Sequence, residues 1–245
     1  MDATPPTPQW PELRSNFPLD SMRSLARRAE WRPLGLTADQ LDRPKVAIVN
    51  TSNDLAACFA HLDGIVAVLK EELRALGILP LEIRTSAPSD FITSVGRAGR
   101  YVLPARDLIT NDIEVMVEGA QLDGMICLSS CDKTTPAHLM AAGRLNVPTV
   151  VIPCGYQHSG LAADGGADIE EVFLQASYHS IRGGDQAEME AMADTAIRGP
   201  GVCAGLATAN SMHMIAEVLG MAVSGAAPVR ANSERMWDSV RRSAA

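Results

Sequence analysis

The chain has 245 residues, of which 47% are hydrophobic, 20% charged and 4% aromatic, a composition that supports a buried core and excludes disordered and fibrous proteins. With 29 Asp and Glu against 21 Lys and Arg, the net charge of -8 speaks against nucleic acid or an anionic membrane as a partner. No apolar run approaches the roughly 20 residues that cross a bilayer, and the polar N-terminus lacks the centre of a signal peptide, so we expect a cytoplasmic protein.

The predicted elements begin with a proline-rich arm over residues 1–44, which includes one short helix and a basic stretch from Arg23 to Arg32. From Lys45 onwards, short apolar runs typical of buried strands alternate with longer segments of helical periodicity. This β-α-β-α order predicts a parallel sheet with helices on both faces. The four predicted strands cover residues 46–49, 81–84, 124–128 and 147–152.

Beyond the fourth strand the sequence predicts only helices, over about 168–179, 186–197 and 207–222. We therefore expect three parts: the arm, an α/β domain over residues 45–233 that ends in this helical segment, and a C-terminal helix over residues 234–245. The last segment is amphipathic and no sheet element follows it, which is typical of a truncated edge.

Five cysteines are the most informative residues, because an odd, scattered set in a reducing compartment favours metal binding or catalysis over disulfides. Cys58 and Cys131 follow predicted strands, and Cys203 lies in a glycine-rich turn before a helix, whose N-terminus favours the thiolate. Strand-end loops of such a sheet meet at one rim, so these three thiols are expected to converge. Cys127 and Cys154 are predicted to be packing residues, the usual role of a single cysteine.

Three thiolates with one missing ligand suit either an iron–sulfur cluster with an open coordination site or zinc with one open position. The spacing alone does not choose between these two, and three unrelated buried cysteines are the third interpretation.

Two carboxylates, Asp90 and Asp132, follow strands at the same rim, and oxygen ligands of this kind suit magnesium. Lys133 is adjacent, and as a cation it would repel a metal. It could act as a desolvated base, or carry a carbamate derived from CO2 and become an oxygen ligand. A solvated Asp–Lys pair is the simpler interpretation.

Five histidines complete the candidate groups. His61, His138 and His213 fall within helical patterns and are expected to be hydrogen-bonded core residues or surface residues. Tyr156 and His158 follow the fourth strand and are candidates for substrate contact.

Four segments occur in a characteristic order: NTSNDLAAC, SDFITSVGRAGRYVLPARDLI, CDKTTPAHLMAAGRLNVPT and GPGVCAGLATANSM. With these segments, the chain resembles the dihydroxy-acid and sugar-acid dehydratases from about residue 14 to about residue 237. The sequences of the GPGVCAG and CGYQ segments are closer to the aldonate branch (arabinonate and xylonate) than to the branched-chain amino-acid branch.

This resemblance implies a hydro-lyase that converts 2,3-dihydroxy acids or sugar acids into 2-keto-3-deoxy acids. Cys58, Cys131 and Cys203 match the cluster cysteines of the family, and a 2Fe–2S cluster is favoured over 4Fe–4S. Asp90 and Asp132 match the Mg²⁺ ligands, and Lys133 matches a lysine that is carbamylated in such enzymes. The implied partners are a small hydroxy-acid substrate and a second copy of the chain, as a dimer or tetramer, or a complementing C-terminal half.

The sequence also departs from the family. Family members are longer, and their second half supplies a β-rich domain, a serine base and a further acidic metal ligand that this chain lacks. Ala56 and Ala57 precede Cys58 where many relatives have Asn-Pro, and Phe91 replaces the glycine that usually follows Asp90. Two alternatives to a dehydratase therefore stay open: a non-catalytic α/β remnant that binds a partner, and a zinc or redox protein that uses the same thiols.

Overall fold

A four-stranded parallel sheet lies at the centre of the fold, in a computed structural model that describes residue 10 and residues 12–94, 96–160 and 166–245. The strands are hydrogen-bonded in the order β2-β1-β3-β4, so the chain crosses over between them. All four predicted strands and the parallel pairing are confirmed. Their bounds are β1 Lys45–Asn50, β2 Leu79–Arg84, β3 Gly124–Ser129 and β4 Thr149–Pro153.

Helices account for most of the remaining described residues, and three short 3₁₀ segments lie at Arg32–Leu34, Ala57–Phe59 and Gly96–Tyr101. The α-helices are α1 Met22–Trp31, α2 Ala38–Leu41, α3 Leu62–Ala75, α4 Asp90–Thr93, α5 Val102–Gly119, α6 Thr134–Leu145, α7 Ile169–Arg182, α8 Gln186–Ala196, α9 Thr208–Val218 and α10 Glu234–Ala244. In the described ranges, no helix combines the length and the apolar character that a bilayer crossing requires.

Successive side chains of each strand point to opposite faces of the sheet, and helices cover both faces. One face presents Ile48 and Ile126 to α3 and α10, and α10 contributes Met236 and Val240 to this core. The other face packs against α5, α6 and α9. Because both faces are covered, the central strands β1 and β3 are nearly continuous runs of apolar residues, as expected for a parallel sheet.

The arm is folded onto the sheet through a buried lysine. Lys45 is 1% exposed, and its Nζ donates to Ser15 Oγ at 3.0 Å, to Asn16 Oδ1 at 2.8 Å and to the Arg43 carbonyl at 3.0 Å. Three acceptors compensate the burial of this ammonium group. The arm contains α1, a 3₁₀ segment and α2, more helix than the single short helix expected, and residues 1–9 and 11 lie outside the described part.

Candidate active site

A cavity of about 150 Å³ lies at the carboxyl ends of β1 and β3, beside the N-terminus of α9. It brings together five of the six side chains that the sequence singled out as candidate cluster or metal ligands, and the sixth, Lys133, pairs with two of these five. Its lining residues are Cys58, Ser89, Asp90, Phe91, Cys131, Asp132, Glu170, Val202, Cys203, Ala207, Thr208 and Ala209.

Two of the thiols come from adjacent strand ends. Cys58 lies in the 3₁₀ turn after β1, and Cys131 follows β3 by two residues; both are 5% exposed. Ser130 Oγ donates a hydrogen bond to the carbonyl of Cys58. This bond joins the two loops directly. Since β1 pairs with β3, the two thiols follow neighbouring strands of the sheet.

The third thiol is held by a separate set of contacts. Asn210 Nδ2 donates to the carbonyls of Cys203 at 3.1 Å and Gly205 at 2.9 Å, so the first turn of α9 fixes the loop before it. At Gly201, φ is +114° and an added Cβ would lie 2.6 Å from the Gly155 carbonyl oxygen. Only glycine fits this close approach to the segment after β4.

The three thiols differ in their readiness to ionise. A hydrogen bond from the Cys58 thiol lowers the pKa of Cys131, where burial opposes the thiolate and backbone N–H groups of Asp90 and Asp132 favour it. The same contact with Cys131, together with burial, raises the pKa of Cys58. Burial, followed by the charge of Cys131, raises the pKa of Cys203 to about 12. The helix N-terminus expected to favour the thiolate of Cys203 does not prevail, because Cys203 lies five residues before α9 begins and burial raises its pKa.

Two carboxylates and one ammonium group form a charged cluster at the cavity. Lys133 Nζ lies 3.4 Å from Asp90 Oδ2 and also bonds Asp132 Oδ2. Burial, followed by the proximity of Asp132, raises the pKa of Asp90 to about 6. Burial opposes the charge of Lys133, but its bond with Asp132 outweighs this and raises its pKa. Lys133 therefore serves as the counter-ion of the two carboxylates.

Three carboxylate oxygens at the cavity lack a hydrogen-bond partner among the described residues, and each could accept a hydrogen bond or bind a cation. One carboxylate oxygen each of Asp90, Asp132 and Glu170 is buried without a hydrogen-bond partner among the described residues. Such atoms are costly to bury, and a bound cation or hydroxyl group removes that cost. In the described ranges, no three or more His, Cys, Asp and Glu side chains are positioned to hold one metal ion together.

The other two cysteines are not among the described residues that line the cavity. Cys127 is fully buried inside β3 and packs in the core on the α5 and α6 face of the sheet. Cys154 is fully buried after β4, and its Sγ donates to the carbonyl of Ile152. Burial alone raises the pKa of both thiols. Tyr156 and His158 are not among the described residues that line the cavity.

Three histidines support the loops around the site. His213 Nε2 donates to the Ser129 carbonyl at 3.0 Å, and His138 Nδ1 lies 2.7 Å from Ser129 Oγ, directly before the loop of Cys131. His61 Nε2 donates to the Cys154 carbonyl at 2.7 Å. Burial is the main cause that lowers the pKa of His138 to about 3 and of His213 to about 4. All three rings are hydrogen-bonded core residues, as expected.

These depressed values predict acid sensitivity. Below about pH 6.5 the unfolded chain protonates both His138 and His213, whereas the folded chain does so only near pH 4 and below. The free energy of unfolding should therefore fall by about 1.4 kcal/mol per pH unit for each ring between these limits. Urea unfolding at pH 7, 6 and 5 measures this slope. His213→Gln should make it shallower, and the exposed control His158→Gln should not; equal slopes in both variants would contradict the assignment.

The structure adds residues that the sequence analysis did not single out. Ser130 and Asn210 position the cysteine loops, and Glu170 reaches the cavity from α7. The rings of Phe91 and Phe173 make an edge-to-face contact at 5.8 Å, which docks α7 beside the cavity. Most of these contacts join segments that are distant in the sequence, so no local pattern predicts them. Asn210 is the exception, because it lies in the segment GPGVCAGLATANSM together with Cys203.

Comparisons with known proteins give a consistent result. The family described as "Dihydroxy-acid/6-phosphogluconate dehydratase N-terminal" matches residues 43–245. A curated dihydroxy-acid dehydratase of Methanothrix thermoacetophila is 37% identical over 220 residues, which cover 89% of this chain and 39% of that protein. Its counterpart in Ignicoccus hospitalis is 36% identical over 86% of this chain and 38% of its own length. The chain thus spans about two fifths of the length of these relatives.

Proposed function

Because this chain belongs to the dihydroxy-acid/6-phosphogluconate dehydratase family, we propose that it contributes the cluster- and metal-binding part of a hydro-lyase. The reaction removes the C2 proton and the C3 hydroxyl of a 2,3-dihydroxy acid as water, and the resulting enol becomes a 2-keto-3-deoxy acid. A sugar acid of the aldonate type is the proposed substrate. The observation that carries the proposal is the single cavity lined by Cys58, Cys131, Cys203, Asp90 and Asp132.

The three thiols are the proposed ligands of an iron–sulfur cluster, with 2Fe–2S favoured over 4Fe–4S. The cysteines of a cluster are shared among several irons, so their sulfur atoms need not surround one point, which agrees with the arrangement of Cys58, Cys131 and Cys203 around a cavity. All five cysteines are free thiols, as the proposed cytoplasmic location requires. Three cysteines leave one coordination position for the substrate.

Asp90 and Asp132 are the proposed ligands of Mg²⁺. Each has a buried oxygen without a partner, and hard oxygen donors are the ligands that Mg²⁺ prefers. Lys133 would complete the set as a carbamate: its ammonium group would lose one proton, and the resulting amine would add CO2 and release a second. A divalent cation would then take over the charge balance that Lys133 now provides.

When bound, the cluster and Mg²⁺ would act as Lewis acids on the C3 hydroxyl and on the carboxylate with the C2 hydroxyl. The chain's own residues hold and orient these groups, and Phe91, Val202 and Ala207 provide apolar walls that limit water. The base for the C2 proton is, by the family resemblance, a serine of the second half. We therefore propose that turnover needs that half, from the same protein or from a partner, and that the assembly is a homo-oligomer.

An activity assay tests the proposal. The chain, reconstituted with iron and sulfide under anaerobic conditions and supplied with Mg²⁺, is mixed with the separately produced C-terminal part of a full-length relative. We expect 2-keto acid to form from xylonate or arabinonate only when both parts are present. If a cluster-loaded mixture with a physically associated C-terminal part forms no keto acid from any dihydroxy acid, the chain is a non-catalytic remnant.

A further inference from the structure

Glu170 is a carboxylate in the cavity to which the proposed function gives no role. It lies in the first turn of α7. Asp168 caps this helix, because its Oδ1 accepts hydrogen bonds from the backbone N–H groups of Glu170 and Glu171, each with an N···O distance of 2.9 Å. Its neighbour Glu171 has a partner, since Gln175 Nε2 donates to Glu171 Oε1 at 2.6 Å. Glu170 Oε1, in contrast, is buried and has no hydrogen-bond partner among the described residues.

The surrounding structure makes room for this side chain. An added Cβ at Gly205 would lie 2.9 Å from Glu170 Oε2 and 3.2 Å from its Cδ, so the end of this side chain lies against the Cys203 loop. The Phe91–Phe173 contact fixes α7 at the same edge of the cavity. Glu170 is therefore held in place, although its acceptor oxygen is unused.

A buried acceptor without a donor is costly, so a bound ligand is the natural source of the donor. Asp90 and Asp132 both pair with the Lys133 ammonium group, whereas Glu170 forms no ion pair in the described ranges and stands apart from that cluster. The charge of Glu170 acts instead on Cys203, on the thiol side of the cavity. A neutral donor on that side suits the position, and a hydroxyl group is the donor that a hydroxy acid offers.

We infer that Glu170 accepts a hydrogen bond from a substrate hydroxyl beyond the two that react, so that the cavity selects polyhydroxylated acids over dihydroxy acids with an alkyl chain. This inference rests on the proposed function and names its substrate class. An alkyl chain at this position would leave Glu170 Oε1 buried and unpaired, and sites built to bond a hydroxyl reject analogues that lack it.

The test is a comparison of affinities by titration calorimetry on the cluster-loaded chain with Mg²⁺. Xylonate is the polyhydroxylated probe, and 2,3-dihydroxy-3-methylbutanoate is the alkyl probe. We expect the wild-type chain to bind xylonate more tightly. Glu170→Leu should weaken xylonate binding roughly 10- to 100-fold, the range for a hydrogen bond to a charged group, and leave the alkyl acid unchanged or tighter. Glu170→Gln, which keeps an acceptor oxygen, should lose less.

Glu171→Leu is the matched control, since it removes a carboxylate from the same helical turn outside the cavity lining, and it should bind both acids like the wild type. Equal losses for both acids in Glu170→Leu, or a wild-type chain that prefers the alkyl acid, would overturn the inference and leave the dehydratase proposal standing. If the cluster-loaded chain binds neither acid, the inference about Glu170 is overturned, whereas the dehydratase proposal is decided by the activity assay with the C-terminal part.

Discussion

Replacing Cys131 with serine is expected to abolish the cluster while the sheet stays folded. Cys131 is the thiol whose pKa is lowered and which accepts the hydrogen bond from Cys58, so the substitution removes the sulfur that most readily becomes a thiolate ligand. The loop is held by other contacts, because Thr134 Oγ1 donates to the Cys131 carbonyl and Ser130 to the Cys58 carbonyl. After anaerobic reconstitution, Cys131→Ser should bind essentially no iron or sulfide, with circular dichroism like the wild type.

Cys127→Ser is the matched control for this prediction. Cys127 lies four residues earlier, inside β3, and packs in the core on the other side of the sheet from Cys58 and Cys131. A serine there buries a hydroxyl in an apolar core, which should lower the free energy of unfolding by about 1–3 kcal/mol and leave the cluster in place. Equal loss of visible absorption in both variants would contradict the division between ligand and packing cysteines.

Replacing Asp132 with asparagine is expected to weaken Mg²⁺ binding by at least roughly 10- to 100-fold, since even residues that only support metal ligands contribute this much. Burial opposes the ionisation of Asp132, but hydrogen bonds from Asp90 and Lys133 outweigh it and lower the pKa of Asp132, so the residue is ionised at neutral pH. Asp194→Asn, at an exposed position on α8, is the control and should bind like the wild type. Titration calorimetry with MgCl₂ measures the change.

The same site predicts a pH dependence. Because the pKa of Asp90 is raised to about 6, this carboxyl gains a proton as the pH falls through 6 and can no longer serve as a ligand. Mg²⁺ affinity should therefore decrease as the pH falls below about 6 in the wild-type chain. An affinity that is unchanged at pH 5, or unchanged in Asp132→Asn, would exclude these carboxylates as the cation site.

The sheet could be predicted from sequence because its strands are buried on both faces. Runs such as Val46–Val49 and Gly124–Leu128 are apolar at successive positions, and helical periodicity between them implies parallel crossovers. The helix boundaries were less exact. The third helix after the sheet was expected to extend to about residue 222, but α9 ends at Val218 and a turn at Gly220 follows, where φ is +72°.

The convergence of five side chains at one cavity followed from the same pattern, since loops after parallel strands meet at one rim. Glu170 could not be found in this way, because it lies on α7, which is distant in sequence from the strand ends and packs beside the cavity through the Phe91–Phe173 contact. The glycine-rich turn around Cys203 explains Gly201, whereas Gly205 lies against the Glu170 carboxylate.

The central claim is that Cys58, Cys131 and Cys203 together bind an iron–sulfur cluster, and the most direct test is the iron and acid-labile sulfide content of the wild-type chain. The protein is reconstituted and desalted without oxygen, and both elements are measured per chain along with the visible spectrum. We expect a brown protein with iron and sulfide in equal amounts, matching one cluster per chain. A colourless, folded protein without iron after this procedure would contradict the claim.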